Sequence, residues 1–172
     1  MTSADLPDFA RKLCGRAELL QRLVALPRPL VFTNGVFDVL HRGHVSYLDR
    51  ARTLGESAGE ARGSLIVALN SDASARRLGK GPDRPLNNEI DRAMVIASLE
   101  SVSLVTWFDE DTPLEIIGEI KPDLLVKGGD YDMSKLAETR VVLAYGGTAR
   151  ALPFVDGYST TALVKKIRQG QA

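Results

Sequence analysis

The chain has 172 residues and two histidines, and both histidines fall in one run, His41-Arg42-Gly43-His44. A histidine side chain donates hydrogen bonds and carries positive charge near neutral pH without lysine's bulk or reach. The pair follows an apolar run at 30–34. From His44 onward, Tyr47, Leu48 and Ala51 recur at helical spacing, so the histidines stand at a predicted helix start. Unpaired backbone N–H groups and the positive end of the helix dipole make such a start an anion site, most often for phosphate. Gly35 and Gly43 let the backbone come close to a ligand. One histidine alone would read as a core residue on the apolar stripe, but two at a helix start, among glycines, point to phosphate. Zinc fits poorly: two histidines three apart, with no cysteine near and no third histidine, do not make a tetrahedral site.

Other segments carry complementary groups. Residues 76–84 hold Arg76, Arg77, Lys80 and Arg84 against the single acid Asp83, and Arg92 follows in the first turns of a predicted helix. Lys127 directly follows the apolar run 123–126 and precedes Gly128-Gly129-Asp130, the position of a phosphate clamp at a strand tip. Ser159-Thr160-Thr161 places three hydroxyls at the start of the last predicted helix. Each has a plain reading as a solvated loop or a helix cap; the convergence of four loops is the signal. No residue reads as a covalent nucleophile, since Cys14 lies far off in the leading segment. The chain has no GxxxxGK[ST] loop, and its first strand lacks GxGxxG. Anion holders without a nucleophile suit direct phosphoryl or nucleotidyl transfer, where positioning and charge stabilisation do the catalysis.

These groups need a scaffold that brings four loops to one rim. A leading helix is predicted over 16–26, closed by Pro27-Arg28-Pro29. Strands are predicted at 30–34, 64–70, 102–108, 123–126 and 149–154, with the unbroken apolar run of the second implying burial on both faces. Helices are predicted from His44 to Gly55, after an Asn88 cap with Ile90, Ala93, Met94 and Ala97 inward, after a Thr112-to-Glu115 capping box, over 135–145, and after a Ser159 cap with Leu163, Val164 and Ile167 inward. Five strands alternating with helices imply an α/β fold, a parallel sheet with helices on both faces. Ligands then gather outside the carboxyl ends of the strands, which singles out the loops 34–44, 70–92, 127–134 and 155–161. Hydrophobic content of 44%, charged content of 26% and 22 basic against 22 acidic residues are ordinary for a globular chain, with no global field toward nucleic acid or membrane. The single cysteine, the absence of a signal-peptide pattern and apolar runs of at most five residues lead to the expectation of a cytoplasmic domain.

Gly35-Val36-Phe37-Asp38-Val39-Leu40-His41-Arg42-Gly43-His44 resembles the GxFDxxHxGH signature of the nucleotidyltransferase superfamily. Gly157-Tyr158-Ser159-Thr160-Thr161 resembles its second signature, at the opening of the last helix. Residues 69–87 (LNSDASARRLGKGPDRPLN) and 121–131 (KPDLLVKGGDY) resemble the branch that adenylylates heptose 1-phosphate for lipopolysaccharide, and the likeness covers about 30–169. The resemblance implies a Rossmann-like five-stranded sheet, and ATP and a sugar 1-phosphate as substrates, giving ADP-heptose and pyrophosphate. It implies that His41 and His44 bond the ATP phosphates, and that Lys127 neutralises the phosphates shared by the reactants. Thr33, Asn34, Gly35, Phe37, Gly43 and Gly128 would line the nucleotide and phosphate pocket, with Asp38 bracing its loop. Arg92, Ser159, Thr160 and Thr161 would hold pyrophosphate. Asn70 and Asp72 would touch nucleotide or sugar, and Arg76, Arg77, Lys80 and Asp130 the sugar phosphate. Mg²⁺ would ride on the ATP phosphates with no ligand from the protein.

In many bacteria that branch forms the C-terminal half of a bifunctional protein behind a sugar kinase, so a stand-alone form is expected here. It would be one domain over 1–172, with a helical segment at 1–29 ahead of the catalytic core at 30–169. A homodimer is compatible with all of this. Three rivals compete with this reading: a cytidylyl- or guanylyltransferase for another sugar or polyol phosphate, a fragment of a class I aminoacyl-tRNA synthetase, and a non-catalytic nucleotide-binding regulator. The second has no room for a tRNA-reading domain, and Asp132 stands where its MSK loop needs lysine. The intact set of histidines, lysine and hydroxyls argues against the third.

Overall fold

The protein is described by a computed structural model over residues 6–55, 63–79, 81, 83–153, 155 and 157–170. Five strands, β1 (Leu30–Gly35), β2 (Ser64–Asn70), β3 (Leu104–Phe108), β4 (Leu124–Gly128) and β5 (Thr148–Leu152), form one sheet in the order β3-β2-β1-β4-β5. Every pairing is parallel. The helices are α1 (Leu19–Val24), α2 (Arg42–Leu54), α3 (Asp72–Arg77), α4 (Glu89–Ala97), α5 (Leu114–Ile120), α6 (Ala137–Ala144) and α7 (Thr160–Arg168).

The two-residue alternation of β1 sorts the core. Val31 faces Tyr47, Leu48 and Ala51 of α2 and Ala93, Ile96 and Ala97 of α4. Leu30 and Phe32 face the opposite layer, with Ile116, Ile117 and Ile120 of α5 and Val142 of α6. All seven residues of β2 are buried, as its unbroken apolar run requires of a strand covered on both faces. The leading segment completes the second layer: Cys14, Leu19 and Leu23 are buried there, and the Cys14 N–H donates to the Val105 carbonyl at 2.8 Å. Arg16 ties the segment to α5 through Glu119 at 2.7 Å and to Glu110 at 3.0 Å.

Several local expectations change. The stretch 70–92, expected as loop, contains α3, whose start is capped when the Ser71 hydroxyl accepts from the Ser74 N–H. At six residues it is too short for an apolar period to show. No side chain caps α5, so Thr112-to-Glu115 does not close as a capping box. Ile90 (49% exposed) and Ile167 (59% exposed) face solvent, because α4 turns Arg92 inward and α7 lies at the margin of the sheet with no buried residue. The last strand ends at Leu152; Phe154 lies outside the described residues. Among the described residues no helix is long and apolar enough to cross a membrane.

The strand order reverses at β1, with β2 on one side and β4 on the other. The chains leaving β1 and β4 therefore part in opposite directions and leave a crevice beyond their carboxyl ends.

Candidate active site

A cleft of about 640 Å³ occupies that crevice. Its walls come from the end of β1 and the loop after it (Asn34 to Asp38), from the start of α2 (His41, His44, Tyr47), from Arg84 and Pro85, from Gly128 at the end of β4 and Tyr131 beyond it, and from Tyr158 to Thr161 at the start of α7. Its size is that of a nucleotide-sized ligand site.

The histidines stand where α2 begins. His41 is the residue before the first turn, and no side chain bonds the first-turn N–H groups. The imidazoles of His41 and His44 stack with centroids 3.8 Å apart, and Phe37 meets His44 edge-on at 5.3 Å. Burial lowers the pKa of His41; burial and then the neighbouring His41 lower that of His44 to about 4, against a smaller opposing pull from the Val39 backbone. The free cleft thus holds neutral imidazoles at pH 7, ready to donate hydrogen bonds to an anion. Two buried features force this shape. Phe37 sits at φ 47°, in the left-handed region that side chains rarely occupy, and a strained residue against a ligand cleft marks a constrained turn. A Cβ on Gly43 would lie 3.0 Å from the His41 ring and 3.1 Å from Tyr158 Cβ, so a side chain here would push the His41 ring and the segment before α7 outward by a few tenths of an ångström.

Behind the wall the polar groups brace one another. The Tyr47 hydroxyl donates to the Val126 carbonyl at 3.0 Å, and the Thr33 hydroxyl lies 2.6 Å from it, locking α2 onto β1 and β4. Burial pushes the Tyr47 phenol well above its usual range, so it remains a neutral donor. Thr33 is a buried strut and not part of the lining. Asp38 accepts from the Leu86 and Asn87 backbone N–H groups at 2.8 and 2.9 Å and pairs with Arg84 at 3.0 Å. It braces its loop, as its position in the run suggests, and it holds Arg84 at the cleft.

Arg92 is the clearest departure. Its side chain is fully buried and donates to the carbonyls of Asn87, Val36 and Asn70 and to the Asp72 carboxylate, at 3.0, 2.7, 3.0 and 2.7 Å. Its donors are thus committed within the protein, and it ties the ends of β1 and β2 together; it does not reach the cleft to hold pyrophosphate. Asn70 and Asp72 are drawn into the same network, Asn70 donating to the Ser74 hydroxyl at 3.0 Å, and neither lines the cleft. Arg77 bonds Asp111 at 2.5 Å and the Asp109 carbonyl, on the β3 side, and Arg76 and Asp130 are exposed off the cleft wall. Arg77 is thus paired beyond the end of β3, and neither it nor Arg76 is among the residues that line the cleft. Lys80 lies outside the described residues.

Lys127 stands just behind the wall, between the lining residues Asn34 and Gly128. Its Nζ donates to Asn34 Oδ1 at 2.7 Å and to Glu138 Oε1 at 3.0 Å. Across the cleft, Ser159 caps α7 by accepting from the Ala162 N–H at 3.0 Å, and the Thr160 hydroxyl donates to the Val39 carbonyl at 3.2 Å. The start of α7 is thereby fastened beside the start of α2, and two helix N-termini open on one cavity. The lining also takes in Tyr131, Tyr158, Pro85 and Ala75, which sequence reasoning did not assign. Tyr131 and Tyr158 lie inside the segments whose likeness was noticed, but an aromatic in a loop has no periodicity to give its direction. No group of three histidine, cysteine, aspartate or glutamate side chains able to hold a metal occurs among the described residues.

Comparison with known proteins identifies the family. The chain is 59% identical over 164 residues to D-beta-D-heptose 1-phosphate adenylyltransferase of Bordetella bronchiseptica, covering 94% of this chain and 97% of that one. It is 52% identical to the bifunctional protein HldE of Hahella chejuensis over 83% of this chain, and spans only 28% of that longer protein. Among solved structures, the lipopolysaccharide core biosynthesis protein from Thermoplasma volcanium GSS1 superposes with a TM-score of 0.59 at 28% identity, covering 76% of this chain and 98% of the other. Residues 32–166 match the family described as cytidylyltransferase-like. That match runs from β1 into α7 and so takes in both helix starts that open on the cleft: the chain belongs to the cytidylyltransferase-like family.

Proposed function

We propose that the protein transfers AMP from ATP to D-glycero-D-manno-heptose 1-phosphate, forming ADP-heptose and pyrophosphate for lipopolysaccharide core synthesis. The observation that carries this reading is the 59% identity to the Bordetella heptose adenylyltransferase across nearly the whole of both chains. The name of that relative specifies an adenylyl donor, which weighs against CTP or GTP.

The cleft suits the chemistry. A phosphate oxygen of the sugar attacks the α-phosphorus of ATP, the α–β bridging P–O bond breaks, and pyrophosphate leaves. The nucleophile is already an anion, so no base is needed, and Asp38, engaged by Arg84 and two N–H groups, is not required as one. His41 and His44 donate to the triphosphate as charge builds on it. Lys127 screens the repulsion between sugar phosphate and α-phosphate. The first turn of α7, with Ser159, Thr160 and Thr161, receives the departing pyrophosphate. Mg²⁺ held by the ATP phosphates would supply charge neutralisation. The reaction belongs in the cytoplasm, where ATP is.

A coupled pyrophosphate-release assay crossing ATP, CTP and GTP with both anomers of heptose 1-phosphate and with glycerol 3-phosphate tests the reading. Turnover is expected with ATP and one heptose anomer. Preference for CTP, or for glycerol 3-phosphate, would overturn it.

A further inference from the structure

Lys127 has partners that its proposed role does not use. A lysine ammonium has three donors on a flexible four-carbon stem, and ordering that stem costs rotamer entropy. Here two of the donors are engaged, one by Asn34 Oδ1 at 2.7 Å and one by Glu138 Oε1 at 3.0 Å. The acceptors come from different elements, the end of β1 and the first turn of α6, so together they fix both the direction and the reach of Nζ. Asn34 itself lines the cleft, and so does Gly128, the next residue after the lysine.

Glu138 is suited to be the fixed member of the pair. Its side chain is 16% exposed and that of Lys127 is 13% exposed, so neither is a solvated surface charge. Burial pushes the Glu138 carboxyl upward, but its backbone hydrogen bond and then Lys127 outweigh this and leave its pKa below the usual value. An acid in the first turn of a helix also sits favourably in the helix dipole. The anchoring of α6 to the sheet does not need the ion pair, because Val142 and Thr139 of the same helix are buried against it.

We infer that Glu138 is a positioning residue for the transfer reaction, holding the Lys127 ammonium at the Asn34 edge of the cleft so that an entering phosphate meets a cation already in place. This rests on the reading of Lys127 as a phosphate clamp given above. Glu138 touches no substrate. It acts by removing the search that a free lysine would make, and so raises the rate of the chemical step more than it raises substrate affinity.

The test compares Glu138→Ala, Glu138→Gln, Lys127→Ala and the double variant Glu138→Ala/Lys127→Ala, each checked by thermal melting. Turnover, KM for both substrates and calorimetric Kd for Mg-ATP are measured. Glu138→Ala is expected to lower kcat ~10-fold while KM and Kd rise no more than ~3-fold, the signature of lost orientation. Glu138→Gln should recover most of the turnover, since its amide oxygen still accepts from Nζ. In the Lys127→Ala background the Glu138→Ala change should add less than ~2-fold, because the two residues act as one unit. An undiminished kcat in Glu138→Ala, no recovery with Gln, or an equal loss with and without Lys127 would each overturn the inference. If the wild type releases no pyrophosphate with any nucleotide, the adenylyl-transfer reading fails. The Mg-ATP affinities then decide the positioning claim separately: a weakening of up to ~3-fold that depends on Lys127 upholds it, and the same weakening in both backgrounds rejects it.

Discussion

The imidazoles of His41 and His44 lie face to face, their planes 16° from parallel and their centroids 3.8 Å apart. His41 is the extended residue just before α2 and His44 lies in the first turn, so the stack forms where the chain enters the helix. Stacked this closely, each disfavours charge on the other, and the pair is neutral until an anion enters.

If the pair supplies donors to the triphosphate, His44→Ala should lower kcat by at least ~10²-fold, the usual cost of losing one charge-stabilising donor. The side chain lies at the cleft and not in the sheet core, so the variant should fold. Circular dichroism and steady-state rates together check this, and near wild-type turnover in a folded variant would remove His44 from the chemistry.

The same histidine makes stability depend on pH. Its pKa falls from 6.5 to about 4 on folding, so between those values the unfolded chain binds a proton that the folded chain does not. This contribution is whole above pH 6.5, is lost progressively as pH falls toward 4, and declines no further below. The full shift corresponds to about 3.4 kcal/mol, which solvent screening at the open cleft reduces to about 2–3 kcal/mol. Urea midpoints at pH 7, 5.5 and 4.5 should fall less steeply for His44→Gln than for the wild type; identical slopes would contradict the neutral, buried state.

Lys127→Ala should reduce kcat and raise KM for both substrates, because charge between two approaching phosphates matters most as they close. Lys127→Arg should recover only part, a planar fork being a poor substitute for a compact ammonium held by two acceptors. Wild-type constants for Lys127→Ala would take the residue out of the site.

Arg92 should behave as a structural residue. Removing it leaves three carbonyls and the Asp72 carboxylate short of a donor, and Arg92→Ala is expected to cost about 3 kcal/mol or more of stability. A variant that melts like the wild type while losing only pyrophosphate affinity would restore it to the binding site.

Activity should require Mg²⁺, and chelation should abolish turnover while leaving the melting temperature unchanged, because the ion is carried by ATP. Unfolding on chelation, or stoichiometric zinc in the purified protein, would contradict this.

Much of the framework was legible in the residue pattern, since period-two and period-3.6 burial leave their mark directly on the chain. The strands, the parallel class and a helix starting near residue 43 all follow from such local rules, and so does the rim on which Asn34, His44, Gly128 and Thr160 meet. The direction of a charged side chain does not. Arg92 and Arg84 look alike in sequence, yet one is fully enclosed by four acceptors and the other is held at the cleft by Asp38. Arg77 pairs with Asp111 beyond β3 and does not line the cleft, and Glu138, eleven residues beyond Lys127, became its partner only when α6 packed against β4. Hydrophobic periodicity is a property of neighbours along the chain, whereas which acceptor a guanidinium or ammonium finds depends on elements that meet only after folding.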